Sequence, residues 1–388
     1  MISGPKKPVW AGPMNSHESP TGPAIDVPEI GSSFESVESK YLTQTTSSRL
    51  PWEKASAVIY VESGRQALAV VEAELRGKGH KHLHVPSYLC DSMISPFQSN
   101  GWTLTGIPVN NDLAVRPADL LSQVTAGVLL HTPYFGREDS PAMLDALDTL
   151  RRRGVVVVVD ETHRVFSNPS PVADIRVASL RKSLPIYDGG YVTGLSGSPH
   201  PGLQDSPSAS RSGVLRQMAM LSKSNILASG DDKETYRALF ERAERATETR
   251  TKPARISEES LSLLHRLDID LIRSTREANS ILLAAALGQS DQFRIINPPT
   301  ADTLPCYLVL KTDEVKGLQR FLAGQRIYCP IHWPPSELLP RTSNWPSCYI
   351  SLPVDHRYGE PDMLRMAACI KAFFAIRMKA PQASDLRK

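Results

Sequence analysis

The chain has 388 residues, of which 41% are hydrophobic and 22% charged, a composition typical of a globular protein with room for two domains. Its 44 basic and 41 acidic residues nearly balance, so no surface has to be strongly basic, and we expect no nucleic-acid partner. No apolar run is long enough to cross a bilayer, and we expect no membrane association.

The cysteines and histidines predict neither a disulfide framework nor a metal site. The five cysteines are scattered and lack C-x-x-C spacing, which indicates free thiols and a reducing, cytoplasmic location. His80, His82 and His84 alternate along one face of a predicted strand, but a metal ion would need a further ligand. We therefore expect no bound metal.

The first two thirds of the chain read as an arm followed by a large domain. Residues 1–54 are rich in Pro, Ser, Gly and Thr, which predicts a partly disordered N-terminal arm. The strands predicted after it cover residues 57–61, 82–87, 103–109, 127–134, 155–161 and 174–179, with helices over 63–79, 94–101 and 140–154. Strands that alternate with crossover helices predict an α/β domain, placed at 55–255, with a mostly parallel sheet covered on both faces.

The last third of the chain has a different pattern of predicted helices and strands. A polar loop over residues 195–212 leads into polar helices that continue to about residue 287. Strand-like segments then cover 293–298, 306–311, 326–334 and 348–354, with helices over 314–324 and 361–378. We interpret residues 256–388 as a smaller α+β C-terminal domain.

Several polar residues lie at the ends of the predicted parallel strands, where open α/β sheets bind their ligands. Ser63 and Gly64 open a helix and can offer backbone N–H groups to a phosphate. Asp160 ends a five-valine strand and can pair with a protonated pyridine nitrogen. Lys182 follows the next strand and can form a Schiff base with an aldehyde, while Ser179 adds a hydroxyl for the phosphate. Together these groups describe a site for pyridoxal 5′-phosphate (PLP).

The motifs also resemble a known family. The matching segments, in order, are SGRQAL at 63–68, VPSYLC at 85–90, VVVDETH at 157–163, SLRKSLPIYDGG at 179–190 and LPVDHRYGEPDML at 352–364. Over residues 55–370 the chain resembles fold-type I PLP enzymes, most closely the DegT/DnrJ sugar aminotransferases. The resemblance implies an aspartate-aminotransferase-like fold and a homodimer whose active sites use residues of both subunits.

The resemblance also assigns roles. It makes Lys182 the residue that forms the internal aldimine and then moves the substrate Cα proton, and Asp160 the partner of the pyridine nitrogen. His163 matches the position beside the phenolic oxygen of the cofactor. The phosphate would be held by Ser63, Gly64, Arg65 and Ser179.

Two positions depart from the family pattern. Arg65 stands where the family usually has a small hydroxyl residue, so the phosphate site would be more cationic. Tyr88 is the aromatic candidate for contacting the cofactor ring, two residues before the usual position.

The substrate pocket is less well defined. Tyr134 and Arg137 follow a strand and His332 and Trp333 end one, so all four are candidates for substrate contacts. A substrate carboxylate could be bound by Arg137, Arg181 or Arg357, and the sequence does not choose among them.

Three functions agree with these residues. The first is a PLP-dependent aminotransferase that uses an amino acid donor and a small carbonyl or sugar acceptor. The second keeps PLP but breaks another bond, as in a lyase, a decarboxylase or a carbon–carbon bond-forming enzyme. The third is a catalytically silent binding protein, against which the intact set of Asp160, Ser179 and Lys182 argues.

Overall fold

The structure, a computed structural model, describes residues 28–43, 50–53, 57–195, 202–229, 233–250, 252–300, 304–339 and 345–379. Most of the predicted N-terminal arm and part of the predicted loop at 195–212 lie outside these ranges. The disorder predicted for the arm therefore falls mainly on residues outside the described ones.

Strands and helices alternate through the first half of the chain. The strands are β1 (Ile30–Gly31), β2 (Val58–Val61), β3 (His82–Pro86), β4 (Thr103–Ile107), β5 (Val128–His131), β6 (Val156–Asp160), β7 (Ile175–Ser179), β8 (Gly190–Thr193), β9 (Arg294–Ile295), β10 (Tyr307–Lys311), β11 (Ile327–Tyr328) and β12 (Tyr349–Pro353). The helices are α1 (Gly64–Gly77), α2 (Ser95–Gln98), α3 (Pro117–Gln123), α4 (Pro141–Arg152), α5 (Arg211–Ser229), α6 (Glu234–Glu248), α7 (Glu258–Arg266), α8 (Ile269–Leu287), α9 (Val315–Gly324) and α10 (Glu360–Lys379). None of the described helices is both long and apolar enough to cross a lipid bilayer.

The main sheet has seven strands in the order β2-β8-β7-β6-β5-β3-β4. Strands β3 to β7 pair in parallel, whereas β8 runs antiparallel to its neighbours β2 and β7. The predicted α/β class with a mostly parallel sheet is confirmed. The sequence did not predict β8, because this strand is short and begins with Gly190, a residue that weakens a strand pattern.

Strand β6 lies at the centre of this sheet and is buried on both faces. Val157 and Val159 pack into one core cluster, together with Leu147 of α4. Val158 packs into the opposite cluster, together with Val71 of α1. A continuous valine run suits such a strand because every side chain leaves water. The packing fixes the backbone up to Asp160, which is the last residue of the strand.

The C-terminal part contains a three-stranded antiparallel sheet in the order β12-β10-β9. Its core joins residues of this sheet to α8, α9 and α10, for example Leu310, Leu283, Leu318 and Met366. The predicted strand at 326–334 is wrong in extent, since only the two-residue strand β11 forms there; it pairs in parallel with β1 of the arm. The domain boundaries drawn from the sequence stay a prediction.

A buried ion cluster fastens the described part of the arm to the rest of the protein. The ammonium of Lys223 on α5, whose side chain is 1% exposed, lies 3.0 Å from the Glu35 carboxylate. Arg357 lies 3.1 Å from the same carboxylate and 2.7 Å from Asp355. Because the arm supplies Glu35, α5 supplies Lys223 and the C-terminal part supplies Arg357, one cluster connects three distant segments.

Candidate active site

The polar residues predicted at strand ends meet at the carboxyl ends of the central strands of the main sheet. Asp160 ends β6, and Ser179 ends the neighbouring strand β7. Ser179 lies opposite Gly190 of β8, which in turn lies opposite Val61 of β2. The turn that follows β2 leads through Ser63 into α1, so the sheet register brings this turn beside Ser179.

Two glycines allow these segments to approach closely. A Cβ atom added to Gly64 would lie 2.8 Å from the Cβ of Ser179. A Cβ atom added to Gly190 would lie 2.7 Å from the carbonyl carbon of Ser63 and 2.8 Å from the nitrogen of Gly64. Since real Cβ atoms do not approach so closely, only glycine fits at either position. The result is a cradle, formed by Ser63, Gly64 and Ser179, at the N-terminus of a helix.

The cradle has the chemistry of a phosphate site. Ser63 is the N-cap of α1, and its Oγ accepts a hydrogen bond from the Gln66 N–H at 3.3 Å. The first N–H groups and the dipole of this 14-residue helix favour a negative charge at its N-terminus. The hydroxyls of Ser63 and Ser179 add donors that can rotate toward phosphate oxygens.

Thr162, which the sequence did not suggest, connects the cradle to Asp160. Its hydroxyl accepts a hydrogen bond from the Ser179 N–H at 3.0 Å, and its own N–H donates to Oδ1 of Asp160 at 2.9 Å. An aspartate followed two residues later by threonine is a local signal for such a turn. Thr162 therefore sets the distance between the phosphate end and the carboxylate end of the site.

Asp160 is a buried carboxylate without a contacting cation. It is 8% exposed, and no Lys, Arg or His nitrogen of the described residues lies within 4.0 Å of its oxygens. Burial raises the pKa of Asp160, although the hydrogen bonds from Thr162 and the charge of Lys182 partly oppose the increase. A cationic ligand group placed here would remove the cost of this burial.

Lys182 lies in the short turn Leu180–Lys182 that follows β7, and it is exposed. Its charge nevertheless acts on three buried groups. Burial has the largest effect on each: it raises the pKa of Asp160 and lowers the pKa values of His163 and His332. The charge of Lys182 lowers all three pKa values. Lys182 is thus open to solvent and near enough to these buried groups for its charge to act on them. An incoming ligand could therefore reach its amine.

His163 is held as a neutral ring. Burial, followed by the positive charge of Lys182 and by His332, lowers the pKa of His163 well below its usual value. The Phe135 N–H donates to Nδ1 of His163 at 3.3 Å, which leaves the ring proton on Nε2. The ring stacks on Phe135 at 5.1 Å and on Trp333 at 5.7 Å. His163 can therefore donate one hydrogen bond through Nε2 without carrying a charge.

The predicted substrate residues His332 and Trp333 lie beside this histidine. The His332 ring is 6.1 Å from that of His163, and its Nδ1 is 2.9 Å from the Ser351 hydroxyl. Burial, aided by the charge of Lys182, lowers the pKa of His332 to about 3. The two histidines thus form one neutral wall near Lys182.

Tyr88 and Tyr134 pack against the residues of this wall. The Tyr88 ring is fully buried against Tyr134 and Trp333, at 5.7 and 5.3 Å, and its hydroxyl donates to the carbonyl of His332. The hydroxyl of Tyr134 donates to the carbonyl of Tyr88. Both tyrosine hydroxyls are engaged within the protein. The cofactor contact predicted for Tyr88 and the substrate contact predicted for Tyr134 stay predictions.

The arginines singled out from the sequence are mostly engaged elsewhere. Arg65 points toward α6, where its guanidinium lies 3.8 Å from Glu248. Arg181 makes two hydrogen bonds to Glu244, at 2.7 and 2.9 Å, and Arg357 makes two to Asp355, at 2.7 and 2.9 Å. Of the three arginines considered for a substrate carboxylate, Arg137 is the one without a carboxylate partner among the described residues; it donates to the Asp112 carbonyl.

These residues fit PLP. The glycine-dependent cradle offers N–H and hydroxyl donors to the phosphate, and the unpaired carboxylate of Asp160 offers a partner to a protonated ring nitrogen. Thr162 joins the two by hydrogen bonds, and the Lys182 amine is accessible next to them. The predicted set of Ser63, Gly64, Asp160, His163, Ser179 and Lys182 is therefore brought together, whereas Arg65 is drawn toward α6.

Comparisons with known proteins bear on the fold. No protein-family model and no curated protein matches the chain. Among solved structures, S. venezuelae DesV in complex with a ketimine intermediate is 20% identical, with a TM-score of 0.56 over 81% of this chain and 84% of DesV. A DegT DnrJ EryC1 StrS aminotransferase from Brucella abortus is 16% identical, with a TM-score of 0.54 over 81% of this chain and 85% of that protein.

A third structure, the PLP form of Spr1654 from Streptococcus pneumoniae, is 15% identical, with a TM-score of 0.63 over 90% of this chain and 99% of Spr1654. At these identities the likeness establishes the architecture. The chain has the aspartate-aminotransferase-like fold of the DegT/DnrJ-type aminotransferases, as the sequence motifs predicted.

Proposed function

We propose that this chain is a PLP-dependent aminotransferase that takes an amino group from an amino acid and delivers it to a small carbonyl compound or a sugar. The observation that carries the proposal is Asp160, a buried carboxylate that no cation of the described residues contacts, placed between a phosphate cradle and an accessible lysine. The shared fold with known aminotransferases supports the same reaction class.

Each residue has a defined task in this proposal. When bound, PLP supplies a carbonyl carbon that bonds to amines and a pyridinium ring that withdraws electrons from the substrate Cα. Asp160 keeps the ring nitrogen protonated, and Nε2–H of His163 donates to the phenolic oxygen. Ser63, Gly64 and Ser179 bind the phosphate. The Nζ of Lys182 holds the cofactor at rest and then moves a proton from the substrate Cα to C4′ of the cofactor.

The substrate is proposed to enter beside the neutral wall of His163 and His332. Trp333, which stacks on His163, would limit the width of the entrance. Arg137 is the proposed partner of a substrate carboxylate, because Arg181 and Arg357 already bind carboxylates of the protein. The charges of Arg181 and Arg216 outweigh the effect of burial and lower the pKa of Glu244 to about 2, so Arg181 stays paired at neutral pH.

Asp160→Asn tests the reaction class. The amide keeps the shape of the side chain but cannot stabilise a protonated ring nitrogen. We expect the variant to retain the cofactor and to release keto acid from an amino donor about 10²–10³-fold more slowly. The measurement is a single-turnover assay in which PLP-loaded protein is mixed with a panel of L-amino acids and the keto acid is quantified by mass spectrometry.

The matched control is Asp119→Asn, which removes a half-buried carboxylate that lies far from the site in sequence and pairs with the exposed Arg116 at 2.7 Å. This variant should react like the unmodified chain. If no donor yields a keto acid with the unmodified chain, transamination is excluded. If Asp160→Asn reacts at the unmodified rate, the role of Asp160 is wrong.

Gly64→Ala tests the phosphate cradle. Its new Cβ would meet the Cβ of Ser179 at 2.8 Å, so the helix N-terminus and Ser179 must move apart. Losing one charge-assisted hydrogen bond to the phosphate should weaken PLP binding about tenfold or more. Affinity is measured by titration of PLP followed by its absorption spectrum.

Gly77→Ala, at the other end of the same helix, is the control because nothing lies within 4 Å of its added Cβ. Thermal unfolding of both variants separates loss of the fold from loss of the cradle. Equal PLP affinities for two folded variants would show that the phosphate binds elsewhere.

We also propose a cytoplasmic homodimer. The five cysteines are all free thiols in the structure, which supports a reducing compartment. Val214, Met218 and Leu221 are 39%, 50% and 51% exposed and recur at helical spacing along α5. Such an apolar stripe is costly in water, and a second copy of the chain would cover it.

Met218→Asp tests this interface. A charge in the middle of the stripe should shift the mass in solution from the dimer toward the 42.7 kDa monomer. Ile376→Asp, which alters an exposed apolar residue of α10 instead, should leave the dimer intact. Light scattering after size-exclusion chromatography gives the masses. A monomeric unmodified chain, or a dimer that survives Met218→Asp, would contradict the proposed interface.

A further inference from the structure

A cleft outside the predicted active site is lined by arginines. It lies between the first turn of α5 and the last turns of α6 and has a volume of about 330 Å³. Arg211, Arg242, Arg245 and Arg250 line it, together with the carboxylate of Glu62. The volume falls at the lower end of the range, about 300–1,000 Å³, that small-molecule sites occupy.

The positive charge of this cleft is only partly compensated. Arg250 lies 3.1 Å from the buried Glu62 carboxylate, and Arg245 lies 3.3 Å from Glu241. Arg211 and Arg242 have no carboxylate within 4.0 Å among the described residues. Two guanidinium groups therefore face the cleft without a counterion among the described residues.

One side of the cleft is formed by the N-terminus of helix α5. Arg211 is the first residue of the 19-residue helix α5, and the Ser210 hydroxyl accepts from the Gly213 N–H at 2.9 Å. The partial positive charge of a helix N-terminus disfavours a cationic side chain and favours an anion. Glu62 and Asp188 supply negative charge here by accepting hydrogen bonds from the Ser212 and Ser210 hydroxyls, and the side chain of Arg211 is exposed beside them.

The cleft is separate from the phosphate cradle. Ser63, Gly64 and Ser179 are not among its lining residues, and neither is Lys182 or Asp160. Glu62 would repel an anion, but it is neutralised by Arg250 and accepts a hydrogen bond from the Ser212 hydroxyl. A ligand of this cleft could thus bind while PLP occupies the cradle.

We propose that the cleft binds a small molecule that carries a diphosphate group, with Arg211 and Arg242 as its direct partners. A guanidinium matches two phosphate oxygens at once, so two unpaired arginines match two phosphate groups. Arg245 and Arg250 are paired with Glu241 and Glu62, so the uncompensated charge of the cleft comes from Arg211 and Arg242. The site is independent of the transaminase assignment, since it uses none of the residues proposed to hold PLP.

The test is calorimetric titration of the full chain with inorganic diphosphate, with ADP and with adenosine, in the presence and absence of saturating PLP. Both diphosphate compounds should bind, more weakly at higher ionic strength, and adenosine should not. A similar affinity for the two would identify diphosphate itself as the recognised group, and tighter binding of ADP would identify a nucleotide. Both results support the site.

The variants make the test specific. Arg242→Ala and Arg211→Ala should each weaken binding about tenfold or more. Arg237→Ala, on the same helix α6 but outside the cleft, should leave the affinity unchanged. The proposed site would be refuted if no saturable binding is seen, or if the affinity is the same in Arg211→Ala and Arg242→Ala as in the unmodified chain.

Two further outcomes keep the proposals apart. If Arg242→Ala changes the mass of the particle and not diphosphate binding, the cleft is a subunit contact and the ligand site is refuted. If diphosphate binds as expected while PLP does not bind at all, the transaminase proposal fails and this site stands.

Discussion

The site depends on one costly feature, the burial of the Asp160 carboxylate without a contacting cation in the part of the chain that the structure describes. Strand β6 is packed on both faces, and this packing fixes Asp160 at its end. Burial raises the pKa of the carboxyl group, so the folded protein loses stability as the pH rises from the ordinary pKa of an aspartate to the raised pKa of Asp160. A cationic group bound against Asp160 would recover that loss. The fold therefore holds this position ready for a positively charged ligand.

The rest of the site distributes charge around this carboxylate. The helix N-terminus and two serine hydroxyls at the cradle favour an anion, and Thr162 holds the cradle at a fixed distance from Asp160. His163 and His332 are neutral because burial, with the charge of Lys182, lowers their pKa values. A ligand with a phosphate at one end and a cationic ring nitrogen at the other matches this order of groups, and PLP is such a ligand.

The local pattern of the sequence predicted the strand ends well and the long-range partners poorly. The run of five valines that begins one residue before β6 and the N-cap at Ser63 are local signals, so Asp160 and the cradle could be placed before the fold was known. β8 could not be recognised, because its hydrogen bonds to β2 and β7 stabilise it more than its own residues do. Likewise, the sequence left Arg181 as a candidate for binding a substrate carboxylate. In the structure its partner is Glu244 of α6, which is more than sixty residues away in sequence.

Lys182 is the residue whose role decides the assignment, and its chemistry can be observed directly. The measurement is borohydride reduction of the PLP-treated chain, followed by proteolysis and mass spectrometry of the peptides, with Lys182→Ala treated in parallel. The proposal predicts one modified peptide, in which the reduced cofactor is attached to Lys182, and no stoichiometric label in the variant. Labelling scattered over surface lysines, or equal labelling of both proteins, would contradict the assignment of this sheet edge as a PLP site.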